Sequence, residues 1–121
     1  MGVISRTHRF SGPRALRFVY QNGRTVRGPN FAVRTILNPK RSSWRAAVVV
    51  SRKVHKSAVG RNRIRRRLYA EVRNLSSDIL QPHDIVINVF SDSLLEIPAN
   101  QLKKQIKQQL SQAGVLAKRV R

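Results

Sequence analysis

Apolar residues recur along this chain with two periods, and the switches between them divide it into elements. From Ser11 to Asn22, Leu16, Val19 and Tyr20 fall at i, i+3 and i+4, one face of a helix. Pro13 suits an early helical position, and Asn22-Gly23 is a stop signal. Thr25-Val26-Arg27 is a candidate short strand. From Phe31 to Leu37 the period is two. Phe31, Val33, Thr35 and Leu37 point one way; Ala32, Arg34 and Ile36 point the other. Asn38-Pro39 opens a turn. Arg45 to Ser51 reads as the next strand, around the run Ala46-Ala47-Val48-Val49-Val50.

The strongest helical signal runs from Val59 to about Leu75. Ile64, Leu68, Val72 and Leu75 form one narrow stripe. Asn62, Arg66, Tyr69 and Arg73 take the opposite side, and Arg61, Arg63, Arg65 and Arg67 fill the flanks. Pro82 marks a break, and Ile85 to Phe90 is a strand, apolar except for Asn88 until its end. A last helix starts near Pro98, buries Leu102, Ile106, Leu110 and Ala113, and ends at Gly114. Lys103, Lys104 and Lys107 lie away from its buried face. No repeat and no Gly/Ser linker interrupts the pattern. The expectation is a single domain over 1–121, with a basic tail from about 115. The order α-β-β-(β)-α-β-α predicts an α+β fold, a two-layer α-β sandwich.

Charge turns this outline towards a partner. The 121 residues carry 25 Lys plus Arg against 5 Asp plus Glu, a formal charge of +20. Such a chain repels itself unless a polyanion neutralises it, and nucleic acid is the leading candidate. The bases are not mixed with acids, as a solubility device would require. Residues 1–70 hold 18 Lys or Arg and no acid, while all five acids fall within 71–96. Cysteine is absent, which removes disulfides, thiol catalysis and Cys-type zinc sites. No stretch reads as a signal peptide or a membrane span, so a cytoplasmic protein with no membrane partner is expected.

Candidate enzyme chemistry is sparse. His8, His55 and His83 are widely spaced, and no Walker-type loop occurs. Asp84 could be read as a metal ligand, but a turn residue at a strand start is the preferred reading. A self-sufficient nuclease needs a carboxylate cluster that the acids do not form. The distinctive feature is Ala58-Val59-Gly60-Arg61-Asn62-Arg63-Ile64-Arg65-Arg66-Arg67-Leu68. Arginine forks bind phosphate bidentately, and the helix N-terminus adds N–H donors. Gly60 and Asn62 leave room for close backbone approach. A merely solvated helix face usually alternates Arg with Glu, and here the first acid is Glu71. Phe10, Phe18, Tyr20, Phe31, Trp44 and Tyr69 are the aromatics that could stack on single-stranded RNA, though core is the preferred reading for most of them taken alone. Tyr20, with Arg34 on the strand face, is the best of them.

The chain resembles the protein component of bacterial ribonuclease P. The resemblance rests on Val50-Ser51-Arg52-Lys53, then Ala58-Val59 and Arg61-Asn62-Arg63-Ile64-Arg65-Arg66, with Val19-Tyr20-Gln21-Asn22-Gly23 and Phe31 upstream and Asp84-Ile85-Val86-Ile87 downstream. It implies an α-β sandwich with a left-handed βαβ crossover, where the general rule for parallel neighbours gives a right-handed one. It implies that RNA performs the cleavage, so no catalytic residue is expected here, and that Mg²⁺ is held mainly by RNA. Ser51, Arg52, Lys53, Arg61, Asn62, Arg63, Arg65, Arg66 and Arg67 would contact RNA. Leu16, Tyr20, Phe31 and Arg34 would line a cleft for the 5′ leader of precursor tRNA. The implied partners are the ribonuclease P RNA and precursor tRNA, with no obligatory protein partner. Leu16 and Arg34 replace aromatics frequent in the cleft, and Phe90 replaces a base that often ends its strand. The rival reading is a ribosomal protein or general RNA chaperone with no processing role.

Overall fold

The computed structural model describes residues 13–80 and 82–117. Its elements are α1 (Pro13–Asn22), β1 (Arg24–Arg27), β2 (Phe31–Leu37), β3 (Arg45–Val49), α2 (Ala58–Asn74), β4 (His83–Val89) and α3 (Ala99–Gln112). The expected start of α1 at Ser11 lies outside the described residues. Short 3₁₀ turns at Ser76–Asp78 and Asp92–Leu95, not anticipated from the sequence, follow α2 and β4.

Among the described residues four strands form one sheet in the order β1-β2-β4-β3. β1–β2 and β2–β4 are antiparallel, and β3–β4 is parallel, with Val48 opposite Ile87. The period of two sets both faces. Phe31, Val33, Ala46, Val48, Ile85 and Ile87 point to one side, where Ile64, Leu68 and Val72 of α2 and Leu102, Ile106 and Leu110 of α3 close the main core. Each fully buried Leu or Ile there contributes about 1.5–3 kcal/mol by transfer from water. This sheet and its α2/α3 layer are the α-β sandwich. On the other face α1 covers a smaller cluster, in which Val19 meets Ala47 and Val86, with Leu16, Ile36 and Val49 beside them.

The crossover from β3 through α2 to β4 is left-handed, and the hand follows from local bonding. Asn38 N–H donates to Pro82 O and Phe90 N–H to Asn30 O, so even-numbered residues of β2 bond towards β4. The even-numbered residues also face α1. For L-residues that combination puts β4 to the right of an ascending β2, viewed from α1. β3 lies beyond β4 and runs parallel to it, and α2 packs on the far face. The path is thus the mirror of the usual one.

Ser57 starts α2 as its N-cap, its Oγ accepting from the N–H groups of Val59 and Gly60. Gly114 ends the last helical segment with φ +79°, a backbone that glycine adopts without strain. β3 is an outer strand, and Tyr69 of α2 accepts a hydrogen bond from its Val48 N–H through the phenol oxygen (3.1 Å). The expectation that Tyr69 faces solvent is therefore corrected: it is half-buried against the core. The basic tail is also corrected. Val115 and Leu116 are buried, and Leu116 bridges to Ile79, because the apolar pair covers an open end of the core. Residues 118–121 lie outside the described residues.

Candidate nucleic-acid interface

Two surfaces gather the residues singled out in the sequence. The first is the loop from Ser51 and the N-terminal half of α2. Ser51, Arg52 and Lys53 are exposed where β3 ends. The carbonyl of Ser51 accepts from Val54 and His55 N–H, which turns the loop back towards α2. Arg61 ties it there, donating to His55 O (3.0 Å) and Lys56 O (2.8 Å). Arg65 donates to Asn62 Oδ1 at 2.6 Å. Arg63 and Arg66 are exposed, bond to no described residue, and with Val59 and Asn62 line a cavity of about 260 Å³. Two unpartnered guanidinium groups beside a hollow suit a phosphate.

Two residues of this helix also serve the protein's own packing. Arg67 points away from the exposed cluster and donates to Leu94 O (2.5 Å) and Ile97 O (2.6 Å). It is a strut holding the segment after β4, with both terminal nitrogens engaged within the protein. Gly60 is buried, and the space above it is filled by the His55 ring, which a Cβ would meet at 2.2 Å. Its room serves the protein's own loop.

The second surface lies beside α1. Leu16 is half-buried between α1 and the sheet. Tyr20 stands at the open edge, 37% exposed, its phenol oxygen accepting from the Asn88 amide at 2.8 Å. The Arg34 guanidinium lies over the Tyr20 ring, 5.1 Å from its centroid. Arg34 Nε and Asn88 Oδ1 are buried here with no partner among the described residues. A buried donor and a buried acceptor left open are each costly, by about 1–3 kcal/mol. Farther along the same sheet face, Arg27 lies 4.7 Å from the centroid of the Phe90 ring.

Phe31 is corrected: it is fully buried on the opposite face, against α2 and α3, and does not line this cleft. Its period-two position fixed a face, but not which face α1 takes. Trp44 is likewise core, Phe18 is exposed, and Phe10 lies outside the described residues. Asn88, Arg27 and Phe90 were missed as site residues. Asn88 alone left a signal, as a polar residue inside an apolar strand.

Asp84 belongs to neither surface. Arg45 grips it with two bonds (2.8 and 2.9 Å), and Asn38 donates to it at 2.9 Å. It is a buried, paired carboxylate within β4, where a turn residue at the strand start was expected. Among the described residues no group of three or more His, Asp or Glu comes together as metal ligands.

The sequence matches the Ribonuclease P family profile over residues 4–114. The chain belongs to this family. It is 35% identical over 113 residues to a ribonuclease P protein component of Chloroflexus aurantiacus, covering 93% of this chain and 82% of that one. It is 29% identical to the counterpart of Synechococcus elongatus, covering 94% and 96%. The fold is similar to the RNase P protein of Staphylococcus aureus, with a TM-score of 0.80 at 25% identity over 90% of this chain and 97% of that one. The RNase P protein of Thermotoga maritima shares the fold at TM-score 0.74 and 20% identity, over 82% and 91%. Membership in the ribonuclease P protein family makes the chain part of an endoribonuclease complex that works with an RNA subunit. No helix among the described residues is long and apolar enough to cross a membrane.

Proposed function

We propose that the chain holds the 5′ leader of precursor tRNA beside α1 while α2 grips the ribonuclease P RNA, and that the RNA performs the cleavage. The observation that carries this reading is the open donor–acceptor pair, Arg34 Nε and Asn88 Oδ1, beside the Tyr20 ring. A nucleobase offers a stacking face and an edge with both donors and acceptors. An RNA strand laid here would meet guanidinium groups, and the buried Asp84 is neutralised by Arg45. Arg63 and Arg66 on α2 would take phosphates of the RNA subunit.

Mg²⁺ is assigned to the RNA. Asp84 is already saturated by Arg45 and Asn38, and no group of three or more His, Asp or Glu comes together among the described residues, so the residues present do not fit a metal cage. The chain's part is to neutralise phosphates, so that the metal sites of the RNA fill at lower Mg²⁺.

The test is cleavage of a precursor tRNA at low Mg²⁺ by the chain alone, a bacterial ribonuclease P RNA alone, and both. The expected outcome is cleavage at the mature 5′ end only with both. Tight binding to many RNAs without stimulation would favour a ribosomal protein or chaperone instead. Hydrolysis by the chain alone would place catalysis in the protein.

A further inference from the structure

We infer that Arg27 and Phe90 form a second base-stacking subsite, which takes a different leader nucleotide from the one held at Tyr20 and Arg34. This rests on the leader reading above. The sheet register puts the two pairs on one face. Arg27 lies opposite Ala32, which lies opposite Asn88, so all three share the face of Arg34. Phe90 follows Asn88 by two residues, and its N–H continues the ladder by donating to Asn30 O. Two residues of strand advance about 6–7 Å, close to the span of one extended nucleotide.

The chemistry of the two pairs is the same. In each, a guanidinium from the sheet lies over an aromatic ring at the edge of that face. Phe90 is 40% exposed, so part of its ring is open to a partner. Arg27, held over the ring, adds a flat cation on which a base can also stack. Between the pairs lies Ala32, small enough to let a strand pass. A phenylalanine has no hydrogen-bonding edge, so this subsite accepts any base, while the open atoms near Tyr20 read one. The leader is thus held by shape at one step and by edge at the other.

The experiment uses the enzyme reconstituted from this chain and a bacterial ribonuclease P RNA. Its substrates are precursor tRNAs carrying one abasic nucleotide at successive leader positions, and the readout is substrate Kd. Phe90→Ala and Phe90→Leu are expected to weaken binding of the intact leader about 5- to 10-fold, the low end for one stacked base. Both should lose that effect with the leader abasic at one position, since the base is then already missing. Phe90→Trp should bind at least as tightly as the parent. Tyr20→Ala should be silenced by a different abasic position. Parent-like binding by Phe90→Leu at every position, with Tyr20→Ala still weakened, would overturn the subsite and leave the leader cleft standing. So would an equal loss with every substrate, which a purely structural role gives. If Tyr20→Ala too binds as the parent does, the leader reading itself fails.

Discussion

At the scale of single residues, Gly60 shows how the interface is assembled from inside. The His55 ring sits where a Cβ of residue 60 would be, and its Nδ1 accepts from Ser57 N–H at 3.1 Å. Ser57 in turn caps α2. Alanine in a helix is favoured over glycine by about 1 kcal/mol, so Gly60→Ala would stabilise an open site. Here it must expel His55 and disturb the cap. We expect Gly60→Ala to destabilise the parent, yet to stabilise a His55→Ala background by up to about 1 kcal/mol. Urea denaturation of the four proteins measures both signs; the same sign in both backgrounds would show that ring and glycine are not coupled. The sequence marked Gly60 as a place of close approach, which it is. It could not say by what, because His55 reaches it through a loop whose path depends on Arg61 bonding to two carbonyls. Phe31 was misplaced for a related reason. Alternation sorts a strand's side chains into two sets, but the helix each set meets is decided by distant packing.

At the scale of elements, α2 was legible because its stripe obeys a single local period. Ile64, Leu68 and Val72 are fully buried as the spacing requires. The polar face was less legible, because an arginine's reach exceeds the width of a helix face. Arg66 and Arg67 are sequence neighbours with opposite tasks: one is open to solvent, the other donates to Leu94 O and Ile97 O. Substitution should separate them. Arg66→Ala is expected to lower the slope of log K against log salt for RNA binding by about 0.7–0.9, one phosphate's worth. Its folding stability should stay within about 0.5 kcal/mol of the parent. Arg67→Ala should leave the slope alone and cost about 1–3 kcal/mol of stability, from carbonyls that lose a charged donor. Salt titrations and denaturation curves of both variants decide it; matching behaviour would erase the distinction. The left-handed crossover was legible only through the family resemblance. Neither strand carries a residue that encodes the hand, which emerges from where β3 docks against β4.

At the scale of the whole molecule, the charge of +20 opposes the compactness that the core provides. Burial of the α2 and α3 stripes favours folding, while guanidinium groups gathered on one helix repel one another in the folded chain more than in the extended one. An anion bound at a fixed place on the folded surface relieves this, and stabilises by RT ln(1 + [L]/Kd), about 1.4 kcal/mol at ten times Kd. The hollow between Arg63 and Arg66 is such a place. Millimolar sulfate should therefore raise the thermal midpoint by several degrees, beyond what chloride does at matched ionic strength. Low concentration matters, because concentrated sulfate strengthens apolar burial in any protein. The excess over chloride should vanish in an Arg63→Ala, Arg66→Ala double variant, whose own midpoint without sulfate should not fall, since it sheds repulsion. Equal gains from sulfate and chloride would mean that the charge is relieved by diffuse screening alone. An excess that survives the double variant would move the anion to another part of the basic surface. Either result bears on RNA binding as well, because a surface that folds best around a sited anion has its cations already placed for a phosphate.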